Sequence, residues 1–215
     1  MKKLFLIPFF GSPPPWYPQY IDHVRHLQSH GYDLLIDTDL AKFQERVRSK
    51  LHIDCPIIPG TGKLWDYRAT LGYLYEEETA GYDFWGHTDL DCVYGNVGKW
   101  VTDEFLGNLD IHSNHGTYIC GPWTLYRNVA RVNQLFMEQD DWQGYLERPE
   151  VNAWVEAAYS RLVERSGLRF QYTYWQNLNP SDDSGIAFRD GKLYDHGQEI
   201  MMYHFRRTKR WPLRG

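Results

Sequence analysis

Apolar and polar positions change period along this chain, and each change predicts an element. Leu4–Phe9 is a short continuous apolar run, the pattern of a strand buried on both faces in a parallel sheet. The prolines of Pro13–Pro18 then impose a loop, because each ring fixes its own φ and restricts the residue before it. Tyr20, Val24 and Leu27 recur at helical spacing, with Gly31 as the stop, and Tyr32–Ile36 reads as a second strand. Leu40–Leu51 is predicted helical from Phe43 and Val47, and Ile53–Ile58 a third strand. Lys63–Thr79 is predicted helical, with Leu64, Tyr67, Leu71, Leu74 and Tyr75 on one side. Gly81 closes it before the aromatic strand Tyr82–His87. Strands alternating with helices up to residue 90 predict a Rossmann-like α/β half.

The second half is more mixed. Val97–Leu106 is predicted as a short helix and Tyr118–Tyr126 as a strand. Val151, Trp154, Val155, Ala158 and Leu162 mark an amphipathic helix. Leu168–Trp175 is rich in β-formers, and Asp190-Gly191 between Ile186–Phe188 and Lys192–Tyr194 is a strong hairpin signal. Ile200–Phe205 is the last predicted strand. No repeat, low-complexity tract or linker divides residues 1–215, which predicts one domain.

Composition narrows the function. Of 215 residues, 42% are hydrophobic and 24% charged, ordinary globular values that exclude a largely disordered chain. Aromatics reach 16%, which suits flat ligands and sugar faces as well as a core. The three cysteines, Cys55, Cys92 and Cys120, have no metal-like spacing and point to a reducing compartment. The net charge of −5 is unevenly spread, since Arg206, Arg207, Lys209, Arg210 and Arg214 close the chain without an acid. An acidic body argues against nucleic-acid binding, while its basic tail suits one phosphate group or a membrane surface. No run approaches the 18 apolar residues of a membrane span. The run after Met1-Lys2-Lys3 is short, contains Pro8 and lacks a small-x-small cleavage site. It is therefore expected to be a buried strand in a cytoplasmic protein.

The chemistry concentrates at Asp89-Leu90-Asp91, directly after the aromatic strand. Open α/β sheets place their ligands beyond the carboxyl ends of strands. Two carboxylates there repel each other, and a hard divalent cation resolves the conflict. Other candidates are weaker. His23, His26 and His30 share a helical face, but no acid or cysteine joins them, and His112 and His115 flank a loop.

Five segments carry a resemblance. They are Pro8–Gly11 with Pro14-Pro15-Trp16, Gly62–Arg68, Gly81–Gly95, Gly121–Asn128 and His204–Lys209. With them the chain resembles the GT-A type glycosyltransferases, the nucleotide-sugar-dependent enzymes whose D-x-D motif holds a metal on the donor diphosphate. More narrowly, it is similar to small bacterial proteins of that type associated with surface polysaccharide synthesis. The resemblance implies a mostly parallel central sheet, flanking helices and a small C-terminal β portion. It implies Mn²⁺ or Mg²⁺ held by Asp91, by Asp89 directly or through water, and by His204, whose imidazole favours Mn²⁺. Arg207 and Lys209 would neutralise the leaving diphosphate. Phe9, Phe10 and Gly11 would lie beside the nucleotide base, with Lys63 and Asp66 at its edge.

The donor it implies is a UDP-sugar, and the acceptor a glycan or lipid-linked glycan held by the C-terminal half or a partner, with peripheral membrane association possible. An inverting transfer needs a carboxylate base. The family's acidic pair leaves only Glu156 here, since Val155 stands in place of the other acid, and Asp182 and Asp183 are the alternatives. Two competing readings exist. Asp89-Leu90-Asp91-Cys92-Val93 partly matches the nucleophile motif of haloacid-dehalogenase-type phosphatases, with Asp182-Asp183 as their late acidic pair, although that motif follows a first strand. A non-catalytic carbohydrate-binding module would use the aromatics but is usually secreted and all-β.

Overall fold

Strand β1 (Lys3–Pro8) alternates its side chains between two apolar layers, so it can only lie at the centre. In a computed structural model of the protein, which describes residues 1–119, 121–177, 185–206 and 210–213, Leu4 and Leu6 enter one core and Phe5 and Ile7 the other. β1 pairs in parallel with β2 (Tyr32–Asp37) on one side and with β3 (Phe84–Thr88) on the other. A short β4 (Cys92–Tyr94) leaves this sheet, and β5 (Ile111–Ser113), β6 (Trp123–Arg127) and β7 (Phe170–Tyr172) complete it. The order is β2-β1-β3-β6-β5-β7, and β6 alone runs against the others.

Helices cover both faces. On one side Phe43, Val47 and Leu51 of α2 (Leu40–Leu51) pack with Tyr67, Leu71 and Leu162. On the other, Tyr20 and Val24 of α1 (Tyr17–Val24) and Leu27 of the following 3-10 turn pack with Val97 and Leu106. Asp39 caps α2 by accepting from the Lys42 N–H at 3.0 Å, and Gly31 closes the first helical segment in the left-handed region at φ 81°.

Two small sheets close the chain. β8 (Gln176–Asn177) precedes the three-stranded meander β9 (Ile186–Arg189), β10 (Lys192–Asp195) and β11 (Gln198–Ile200). β12 (Met202–His204) lies between β4 and β8. The mixed sheet is the expected α/β architecture and is incompatible with an all-β module. Among the described residues, no helix is long and apolar enough to cross a membrane.

Several predicted elements differ. Residues 53–58 are extended but join no ladder: Pro56 lacks an N–H, and the Cys55 and Ile57 carbonyls accept instead from the Gln44 amide at 3.3 and 3.4 Å. The strand expected over 118–126 pairs only from Trp123, because Gly121-Pro122 interrupts it, and β5 was not predicted. The helix expected over 97–106 splits into Val97–Trp100 and Asp103–Gly107, the second capped by Thr102 on the Phe105 N–H. The last strand divides at Met201 into β11 and β12, which belong to different sheets.

The segment 63–79 is helical but begins as a 3-10 helix over Lys63–Thr70. Three residues per turn put Lys63 and Asp66 on one face and Trp65, Arg68 and Leu71 on another. The first face turns inward. Lys63 and Asp66 are fully buried as an ion pair at 2.9 Å, and the Lys63 ammonium also donates to the Tyr145 and Glu150 carbonyls. Asp66 accepts from the Asn152 N–H at 2.9 Å, so the pair fastens the 145–152 segment. Lys63→Met leaves a buried carboxylate without its cation and should cost about 3–5 kcal/mol in chemical denaturation. An unfolding midpoint equal to wild type would instead fit a lysine free to serve a ligand.

Candidate functional site

β3 is buried along its length and delivers Thr88, Asp89, Leu90 and Asp91 at its carboxyl end. The acidic turn is held firmly. Thr88 donates to the Pro122 carbonyl at 2.6 Å, and the Trp16 indole donates to the Leu90 carbonyl at 3.1 Å. The chain then folds back through β4, whose antiparallel partner β12 sets His204 opposite Cys92. That register carries His204 to Asp91 across 113 residues of sequence, with Nε2 to Oδ1 at 3.1 Å. The Phe205 N–H donates to the Asp91 carbonyl and fixes the junction.

Three predicted ligands therefore meet at one point. His204 Nε2 is 3.9 Å from the Asp89 carboxylate, and Asp91 and His204 are only 8% and 6% exposed. Asp89 is also ion-paired with Arg68, which lies on the outward face of the 3-10 helix. Among the described residues, Asp91, Cys92 and His204 are the group whose donor atoms all fall within 4.8 Å. Burial first, then the neighbouring carboxylates, push the Cys92 thiol well up, so it stays protonated. The residues that fit a divalent cation are thus two carboxylates and an imidazole, a set that suits Mn²⁺. His87, two residues before Asp89 on β3, is pushed down to about 3 by burial first and by the Arg68 charge second. It is neutral at pH 7, with Nδ1 3.1 Å from the Gly121 carbonyl.

These groups line one wall of a cavity of about 1310 Å³. Phe9, Phe10 and Gly11 line it from the end of β1, and Glu156 reaches it from Val155–Tyr159, which winds as a wide π-helical turn where an α-helix was expected. Lys63 and Asp66 do not line it, for the reason given above. Arg207, Lys209, Asp182 and Asp183 lie outside the described residues.

Sequence reasoning missed Arg68, although it stands in the same helix as the two residues singled out. Taking that helix with α-helical periodicity hid which face looks outward. Trp65 and Tyr174, which are 53% and 61% exposed, both sit on the cavity. In a chain with 16% aromatics, sequence alone does not separate such residues from the core.

Solved structures share this fold. A glycosyltransferase involved in glycosylation of the major capsid protein of the virus PBCV-1 superposes with a TM-score of 0.59 at 12% identity, over 96% of this chain and 94% of that one. Mouse xyloside xylosyltransferase 1, in its apo form, gives 0.51 at 9% identity, over 98% and 100%. At such identities the likeness establishes the fold, which is the α/β GT-A glycosyltransferase fold. Among proteins of curated function, none matches the sequence. The profile of a family of unknown function, DUF6625, matches residues 33–209, and the chain belongs to that family.

Proposed function

We propose that the protein is a metal-dependent glycosyltransferase that moves a sugar from a nucleoside diphosphate donor, a UDP-sugar, to a glycan or lipid-linked glycan in surface polysaccharide synthesis. The observation that carries this reading is the meeting of Asp89, Asp91 and His204 on one wall of a large cavity in a glycosyltransferase fold. The activities named for the two structural relatives, capsid glycosylation and xylosyl transfer, support it.

Asp91 and His204 would hold Mn²⁺, with Asp89 completing the set directly or through water. The ion supplies positive charge to the diphosphate as it departs. Phe9 and Phe10 give a flat apolar edge for the base. The Phe9 ring lies stacked 6.3 Å from Tyr17, which fixes its face. Arg68 and Arg206 line the cavity and would serve the phosphates, and Arg207 and Lys209 would join them. Glu156 would take the proton of the acceptor hydroxyl in an inverting transfer, the role in which a positioned carboxylate contributes most. Pockets for one small ligand usually measure roughly 300–1,000 Å³, so this cavity has room for donor and acceptor together. Trp65 and Tyr174 would offer ring faces to the acceptor sugar.

Thermal unfolding with UDP, GDP or CDP, with and without Mn²⁺, tests the donor site. UDP and Mn²⁺ together should stabilise the wild type by roughly 2.7 kcal/mol at a hundredfold excess over the dissociation constant. Asp91→Ala should abolish that shift, and no response to any nucleotide would defeat the proposal. Glu156→Gln should keep the shift and lower turnover by about 10²–10⁴-fold; unchanged turnover would remove Glu156 from the mechanism. Trp65→Ala should also keep the shift while raising the acceptor KM about tenfold, a loss of about 1.4 kcal/mol. An unchanged acceptor KM would place the acceptor elsewhere.

A further inference from the structure

Away from the cavity, the first helical segment carries a second convergence of ligand atoms. His26 and His30 stand four residues apart in the 3-10 stretch Arg25–His30, and their Nε2 atoms are 3.1 Å from each other. Neither residue lines the cavity described above. We infer that this pair binds a borderline divalent transition ion of the Zn²⁺ class, at a site separate from the donor site and independent of the proposed transferase activity.

The spacing is the main argument. Zinc–imidazole bonds run about 2.0–2.1 Å, so two nitrogens on one ion stand roughly 3.0 Å apart at a right angle and roughly 3.4 Å apart at a tetrahedral angle. The observed 3.1 Å falls inside that interval. Without metal, one ring must donate its Nε2–H to the other. Metal binding needs both Nε2 lone pairs, so the donating ring moves its proton to Nδ1 and no net proton is released.

The rings are also held in place before any ion arrives. Phe188 of the β9–β10 hairpin packs edge-on against His26, with centroids 5.5 Å apart and planes at 88°. Gly191, in the turn of that hairpin, lies beside the same ring: a Cβ there would stand 3.4 Å from it. His30 lies with Nδ1 against Gly98, where a Cβ would stand 3.2 Å away, so its Nε2 is the nitrogen turned to His26. A side chain at Gly98 would crowd the His30 ring, whereas one at Gly191 would meet His26 only at ordinary contact distance. His23 is packing rather than ligand, because its Nε2 accepts the Tyr94 N–H at 2.8 Å and burial pushes its pKa down to about 4. Water would complete the coordination. An imidazole pair without a carboxylate suits Zn²⁺ far better than Mn²⁺.

The test uses the full chain carrying Asp91→Ala and His204→Ala, which takes two of the three ligands from the donor site, titrated with Zn²⁺ by calorimetry. One equivalent should bind, and His26→Gln or His30→Gln should each weaken binding at least tenfold, while His52→Gln, at an exposed histidine just past the end of α2, should not. Imidazole nitrogen NMR on the wild type gives a readout that needs no substitution: Zn²⁺ should place both His26 and His30 in the Nδ1–H tautomer. Absence of binding, binding undiminished in both variants, or tautomers unmoved by Zn²⁺ would each overturn the inference.

Discussion

Two carboxylates at the end of a buried strand, two residues apart, cannot both stay charged without cationic company. This protein gives the two acids an ion pair and a hydrogen bond from segments far apart in its sequence. Arg68 comes from the helix before the strand and pairs with Asp89, and His204 comes from the C-terminal sheet and approaches Asp91. Both deliveries depend on backbone geometry. The 3-10 winding of Lys63–Thr70 turns Arg68 toward the acids while burying Lys63 and Asp66, and the β4–β12 register sets His204 beside them. The small C-terminal sheet therefore completes the site, because without its ladder Asp91 would keep no imidazole beside it.

The elements legible in the sequence are those with one unambiguous period. β1 and β3 are apolar on both faces, α2 has a capped amphipathic stripe, and the β9–β10 hairpin carries Asp190-Gly191 at its turn, with positive φ at both residues. What was hidden falls into two physical kinds. β5 is three residues long, too short to establish any period, and its burial comes wholly from neighbours distant in sequence. Residues 53–58 have the apolar content of a strand, yet Pro56 denies them a ladder and their buried side chains serve the α2 side of the core instead.

The site divides in the same way. That Asp89, Asp91 and His204 belong together came from a resemblance in motif order, since no local pattern links residues separated by most of the chain. Lys63 and Asp66 were misplaced because a charged pair three apart looks like a solvated helix face, and only the tertiary packing of the 145–152 segment reveals it as buried. Arg68 escaped because nothing local links it to Asp89, 21 residues on: the pair exists only because the 3-10 helix packs beside the end of β3.

The Arg68–Asp89 pair has a consequence for how ligands would bind. In the free protein Asp89 is already neutralised, so a cation arriving alone must compete with a guanidinium for that carboxylate. A diphosphate offers Arg68 another anion within the same cavity, and a guanidinium fork suits phosphate as well as carboxylate. Release of Arg68 to the phosphates would free Asp89 at the moment it is needed. On the proposed function, occupation by either ligand would then favour the other, and by linkage the coupling would be reciprocal. The cation pairing that makes the acidic turn tolerable in the empty fold would in this way make nucleotide and metal binding cooperative, without any larger movement of the chain.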